Sequence, residues 1–196
     1  MGEHATKVEV TLPDWVEDYT RGVTHIPALE DRMRFVIDAA KTNVLKGTGG
    51  PFAAAIFERD SGRLVALGVN RVTTENSSIL HAEMVAFLFA QKALGHYDLG
   101  GEGNPAHELV TSTEPCAMCF GAIPWSGVRR VVTGARDEDA RAIGFDEGPK
   151  PESWQAALAE RGITAIPDTL RAEAAGVLKM YCTHGGHLYN SRESDD

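Results

Sequence analysis

Two short segments constrain this chain of 196 residues more than any other feature of it: His81-Ala82-Glu83 and Pro115-Cys116-Ala117-Met118-Cys119. Each segment is common when taken singly, but here each stands at the predicted start of a helix. A catalytic zinc ion takes three protein ligands and keeps its fourth position for water. The two segments therefore predict a fold that brings two helix N-termini to one zinc ion, with His81, Cys116 and Cys119 as the ligands.

The residue types around this predicted metal suit catalysis. Free N–H groups and the dipole at a helix N-terminus stabilise thiolates and lower the pKa of cysteine. Glu83 lies two residues after His81, and at the very end of a helix both side chains can reach a metal near its axis. We expect Glu83 to carry protons and not to bind the metal. A His-x-Glu segment followed by Pro-Cys-x-x-Cys is the signature of zinc deaminases.

Composition disfavours several classes of protein. The formal net charge of −9 is unfavourable for binding phosphate backbones, so no nucleic-acid partner is expected. The longest apolar run, residues 84–90, is far too short to span a membrane, and no membrane partner is expected. The N-terminus shows no secretory pattern, which predicts a cytoplasmic location.

Hydrophobic spacing predicts helices and strands in alternation after an opening hairpin. Helices are expected at 28–44, 81–94, from 116, at 152–161 and at 170–181, and strands at 52–57, 63–70, 108–112, 129–133 and 163–166. This order is typical of an α/β domain with a mixed sheet. Residues 1–27 are expected to form an N-terminal extension with one short helix.

Further segments resemble the cytidine and deoxycytidylate deaminase superfamily, in the branch whose first ligand is histidine, and within it the guanine deaminases. The resemblance runs from about residue 49 to the C-terminal helix. It is carried by Gly49-Gly50-Pro51-Phe52-Ala53-Ala54, by Asn70, by Trp125, and by Gly144-Phe145-Asp146-Glu147.

The resemblance implies a role for each of these residues. Phe52 would pack on the base, Asn70 would hydrogen-bond the purine edge, and Trp125 would line the pocket. Glu147 would be a second catalytic proton carrier beside Glu83. Ala54 and Ala82 are the other substrate-binding residues predicted in the main domain.

The resemblance also implies the fold and the reaction. We expect a three-layer α/β/α cytidine-deaminase-like domain over residues 28–182, with Zn²⁺ as cofactor and a small nucleobase as substrate. The expected reaction is hydrolysis of guanine to xanthine and ammonia. A homodimer is expected, in which the tail, residues 183–196, covers the neighbouring subunit's site and Tyr189 contacts its substrate.

Three alternatives stay open from the sequence. The substrate could be another small aminated ring, namely guanosine, ammeline or cytosine. Residues 113–119 and 131–137 also resemble tRNA adenosine deaminases, although the negative charge disfavours a polynucleotide. A zinc-stabilised binding domain without catalysis is disfavoured by Glu83, because structural zinc sites fill all four positions with ligands.

Overall fold

A computed structural model describes residues 4–190 of the chain. Its centre is a five-stranded sheet in the order β2-β1-β3-β4-β5. Strand β1 is antiparallel to both β2 and β3, whereas β3, β4 and β5 are parallel to one another. The sheet is therefore mixed, as the sequence predicted. The strands are β1 Ala53–Glu58, β2 Leu64–Val69, β3 His107–Thr113, β4 Arg130–Ala135 and β5 Thr164–Ile166.

Helices cover both faces of this sheet and complete an α/β/α arrangement. They are α1 Trp15–Thr20, α2 Leu29–Leu45, α3 Ala82–Leu94, α4 Ala117–Ser126, α5 Asp137–Arg141, α6 Trp154–Ala159 and α7 Arg171–Thr183. Successive side chains of a strand point to opposite faces. Accordingly, Ala53, Ala55 and Phe57 pack in one core with α2 and α7, while Ala54 and Ile56 pack in the other with α3 and α6.

Helix α3 lies directly on strand β2 because Gly68 has no side chain. A Cβ atom at Gly68 would lie 2.3 Å from the carbonyl oxygen of Ala82 and 2.4 Å from the amide nitrogen of Ala86. Ala82 is the first residue of α3, and His81 is the residue that caps it. The close approach therefore fixes the height of His81 above the sheet.

The predicted helices and strands are all present, with shifts of at most two residues at their ends. The short helix expected in the N-terminal extension is α1, but helix α5 was not predicted. The acidic end of the tail lies outside the described residues, as do residues 1–3. Across residues 4–190, no helix combines the length and the apolar character that crossing a membrane requires.

Candidate active site

The predicted metal ligands meet where two helices begin. His81 caps the N-terminus of α3, and Cys116 caps that of α4. The Nδ1 atom of His81 lies 3.4 Å from Sγ of Cys116 and 3.6 Å from Sγ of Cys119. A tetrahedral zinc ion with ordinary bond lengths separates a nitrogen from a sulfur ligand by about 3.6 Å. The side chains are therefore spaced to hold zinc.

Charges at the two cysteines also suit a metal dication. The pKa of Cys116 is lowered to about 4, first by the hydrogen bond from the Cys119 thiol and then by His81. The same hydrogen bond, with burial, raises the pKa of Cys119 well above its usual range. The pair therefore carries one negative charge and one proton, and binding of zinc would displace that proton.

The neighbouring cysteine and the two buried carboxyl groups also shift the pKa of His81. Burial lowers the pKa of His81, but the contact with Cys116 and the carboxylates of Glu83 and Glu147 outweigh burial and leave that pKa raised. A metal ligand must be a neutral imidazole, so zinc would bind the deprotonated form of His81 and lower its pKa.

Glu83 lies in the first turn of α3, buried beside the three ligands. Burial raises the pKa of Glu83 to about 7, and the negative charge of Cys116 adds to that effect. A carboxyl group with a pKa near neutrality can both accept and donate a proton. The structure therefore places a carboxyl group suited to proton transfer beside the predicted metal ligands.

A cavity of about 320 Å³ opens in front of the ligands. Its walls come from six parts of the chain, including the loop of residues 145–148 and the tail. The lining residues are Phe52, Asn70, Val72, Ser78, His81, Ala82, Glu83, Thr113, Glu114, Cys116, Ala117, Met118, Phe145, Asp146, Glu147, Gly148, Tyr189 and Asn190.

Asn70, just after β2, presents a fixed amide to this cavity. Its Oδ1 accepts hydrogen bonds from the amide nitrogens of Val72 at 3.3 Å and Gly50 at 3.4 Å. Both neighbours are donors, so Oδ1 must be the atom turned toward them. The Nδ2 group is thereby left to donate to a ligand in the cavity.

Aromatic rings form one wall of the cavity. Phe145 packs edge-on against Phe52 and against Tyr189, with ring centroids 5.0 Å apart in both pairs. The Tyr189 hydroxyl is buried and has no hydrogen-bond partner among residues 4–190. The resemblance implied that this tail covers a neighbouring subunit, whereas here Tyr189 lies in the cavity of its own chain.

The loop that carries Glu147 is attached to the metal-binding segment. Burial is the largest cause that raises the pKa of Glu147 to about 8, and the negative charges of Cys116 and Glu83 add to it. Lys150, at the end of the loop, donates a hydrogen bond of 3.1 Å to the carbonyl oxygen of Pro115 and forms an ion pair with Glu114. The carboxyl group of Glu147 lines the same cavity as that of Glu83.

Two residues predicted to bind substrate do not line the cavity. Ala54 is fully buried within the sheet and packs against α3. Trp125 is 84% exposed, because it stands at the far end of α4. At a rise of about 1.5 Å per residue, Trp125 lies about 13.5 Å along the helix axis from Cys116. The expectation that Trp125 lines the pocket therefore does not hold for a pocket built by one chain.

Several lining residues were not predicted as site residues. Phe145 could have been found, since it precedes the two acids of the Gly-Phe-Asp-Glu segment. Val72, Ser78, Thr113 and Met118 carry no sequence signal of their own. Val72 and Ser78 lie between β2 and α3, Thr113 ends β3, and Met118 lies in the first turn of α4. The fold brings these segments together at the metal-binding end of the sheet.

Comparison with known proteins agrees with this site. A family model described as the cytidine and deoxycytidylate deaminase zinc-binding region matches residues 27–135. Guanine deaminase of Bacillus subtilis (strain 168) is 40% identical over 118 residues, which make up 60% of this chain and 71% of the Bacillus protein.

Two solved structures are similar over nearly the whole chain. One is guanine deaminase from Nitrosomonas europaea, with a TM-score of 0.88 and 46% identity over 93% of this chain and 100% of that one. The other, NE0047 in complex with 2,6-diaminopurine, has a TM-score of 0.88 and 47% identity over 94% of this chain and 97% of that one. The chain therefore belongs to the cytidine and deoxycytidylate deaminase family, in the group that includes the guanine deaminases of these bacteria.

Proposed function

We propose that this protein is a zinc-dependent aminohydrolase that converts guanine and water to xanthine and ammonia. The observation that carries the proposal is the meeting of two buried carboxyl groups, Glu83 and Glu147, in one cavity beside the three metal ligands. The cavity is lined by aromatic rings and by one oriented amide, which suits a flat, aminated ring. The relatives named guanine deaminase support the choice of guanine.

The chemistry explains why two carboxyl groups are needed. A zinc ion held by His81, Cys116 and Cys119 would supply a water molecule of lowered pKa. During hydrolysis a C–O bond forms at C2 of guanine and the C2–N bond breaks. One proton must leave the attacking water and reach the ring, and another must reach the departing amine. Glu83 carries the first and Glu147 the second, since both lie in the cavity with pKa values near neutrality.

Other groups hold the ring in place. The Asn70 amide donates a hydrogen bond to an acceptor atom on the purine edge, and the ring of Phe52 packs against the base. Ala82 lies beside the metal ligands and leaves room for the ring, and Tyr189 closes the cavity from the tail. A base seated among these groups is shielded from bulk water.

An ammonia-release screen with zinc-loaded protein tests the proposal. The substrates are guanine, guanosine, ammeline, cytosine, adenine and a tRNA, and Glu83→Gln is the control for contaminating enzymes. We expect the largest kcat/KM with guanine. A larger value with cytosine or with the tRNA would contradict the proposal, and no release from any substrate would favour a non-catalytic zinc domain.

We also propose that the protein is a cytoplasmic homodimer that uses the exposed end of α4. Trp125 and the exposed Ile79 line an apolar groove between α3 and α4, and a single chain leaves both side chains uncovered. Exposed apolar patches of this kind mark interaction sites. Light scattering should give a dimer for the wild type and a monomer for Trp125→Ser. A monomeric wild type would contradict this, and cell fractionation would test the location.

A further inference from the structure

Asn43, a residue outside the cavity, is bonded to two of the segments that form it. It lies near the end of α2 and is 0% exposed. Its Nδ2 group donates to the carbonyl oxygens of Gly50 at 2.9 Å and of Asn70 at 3.0 Å. Its Oδ1 accepts a hydrogen bond of 2.7 Å from the hydroxyl of Thr48. Burying an amide is costly unless it is hydrogen-bonded. Here both N–H groups of the Asn43 amide donate to backbone carbonyl oxygens of the segments that form the cavity.

Of the two carbonyl groups held by Asn43, one belongs to Gly50, whose amide orients the Asn70 side chain, and the other belongs to Asn70 itself. The amide nitrogen of Gly50 donates to Oδ1 of Asn70, and the amide nitrogen of Asn70 donates to the carbonyl oxygen of Phe52 at 3.0 Å. The segments approach so closely that a Cβ atom at Gly49 would lie 1.9 Å from the carbonyl oxygen of Asn70. Any displacement of Gly50 relative to Asn70 would therefore rotate the Asn70 amide.

A second bond ties this arrangement to the N-terminal helix. The indole nitrogen of Trp15 in α1 donates to the hydroxyl of Thr48 at 3.0 Å. That hydroxyl is the one that donates to Asn43, and the carbonyl oxygen of Thr48 accepts a hydrogen bond of 2.8 Å from Arg71. Trp15, Thr48 and Asn43 thus form a chain of hydrogen bonds that ends on the backbone of Asn70.

We propose that Asn43 is a positioning residue for base recognition, which acts through Asn70 and never touches the substrate. The inference rests on the proposed function, because Asn70 has a role only if a base occupies the cavity. Asn43 fixes the separation of Gly50 and Asn70, and this separation keeps Oδ1 of Asn70 on its two backbone donors. The Nδ2 group then points to one acceptor on the base. Without Asn43 the Asn70 amide samples several orientations, and the base binds in several poses.

A double-mutant cycle separates this role from a merely structural one. We expect Asn43→Ala to lower kcat/KM for guanine by about 10-fold to 100-fold, the scale of a misplaced contact. In an Asn70→Ala background the same change should cost less than about 3-fold, since coupled residues are not additive. Val36→Ala, equally buried but about two turns before Asn43 on α2, is the matched control and should cost less than about 3-fold in either background.

Thr48→Val keeps the inference testable if Asn43→Ala does not fold. It removes the hydroxyl between Trp15 and Asn43 at a partly exposed position. We expect a smaller loss of kcat/KM, about 3-fold, carried mainly by KM and again absent in the Asn70→Ala background. Equal losses with and without Asn70 would overturn the inference.

Binding of 8-azaguanine, measured by calorimetry on the zinc-loaded wild type, distinguishes a failure of the Asn43 inference from a failure of the proposed function. Wild type that binds this analogue and releases ammonia from guanine, but shows an additive cycle, overturns the role of Asn43 alone. Wild type that neither binds 8-azaguanine nor acts on guanine overturns the proposed function and the inference with it.

Discussion

The carbonyl oxygen of Glu147 accepts a hydrogen bond of 2.9 Å from the amide nitrogen of Ala117. Ala117 is the first residue of α4 and follows the ligand Cys116. Its N–H is one of the groups that a helix leaves without an internal partner. The backbone of the acidic loop thus satisfies the same helix end that carries the thiolates, and the second carboxyl group is held at a set distance from the metal centre.

Glu147→Gln should keep the fold and the zinc and lower kcat for guanine by roughly 10²-fold or more, the scale of one lost proton-transfer group. Asp146→Asn is the matched control. Its side chain is 64% exposed and accepts a hydrogen bond from Gly148, whereas Glu147 is only 6% exposed. Steady-state kinetics with guanine and ammeline compare the two. Greater sensitivity at Asp146 would show that the roles within the loop are reversed.

Activity should fall on the alkaline side because of the same residue. Burial raises the pKa of Glu147 to about 8, so its carboxyl group is protonated at pH 7 and loses the proton as the pH rises through that value. A proton donor for the departing amine is then lost. We expect kcat/KM, which reports the free enzyme, to decline above about pH 8. Glu147→Gln should lack this decline, and its persistence there would assign it to another group.

Cys119→Ala should remove the metal. The variant loses one of three ligands at a buried position, and we expect zinc affinity to fall by more than about 100-fold, together with activity. Elemental analysis after dialysis measures the zinc. Cys182→Ala changes an exposed cysteine remote from the site and should retain one zinc ion per chain. Full zinc content in Cys119→Ala would refute the ligand set.

Glu83→Gln should retain zinc and the fold while lowering turnover by about 10²-fold to 10⁴-fold, because an amide cannot carry protons. Circular dichroism and elemental analysis check the fold and the metal, and ammonia release checks turnover. Turnover within about threefold of the wild type would mean that another residue carries the proton.

Local patterns were sufficient to predict the sheet and the metal centre. The hydrophobic run of β1 and the nearly uniform apolar faces of α3 reflect burial between layers, and such patterns can be seen in the sequence alone. The ligands were predictable for a similar reason. His81 and Cys116 each cap a helix, and a helix end is a local feature of the chain.

Features that depend on contacts between residues far apart in the chain could not be predicted from the sequence. Nothing near Asn43 in the chain shows that its amide will bond residues 7 and 27 positions away. Trp125 does not line the cavity of the single chain because the length of α4, not its composition, separates it from Cys116. Helix α5 has five residues and is stabilised by charged side chains around Arg136, a pattern that resembles a solvated loop.

Gly68 gives the metal centre a dependence on a strand that contributes no ligand. Its missing side chain lets the first turn of α3 rest against the sheet, and any larger residue would act as a wedge under that turn. His81 would then rise while Cys116 and Cys119, anchored on another helix, stayed behind. The absence of a Cβ atom at Gly68 therefore keeps His81 at the right distance from Cys116 and Cys119. If strand β2 were varied in search of new substrates, variants with a larger residue at position 68 would lose zinc, whatever their effect on the base-binding cavity.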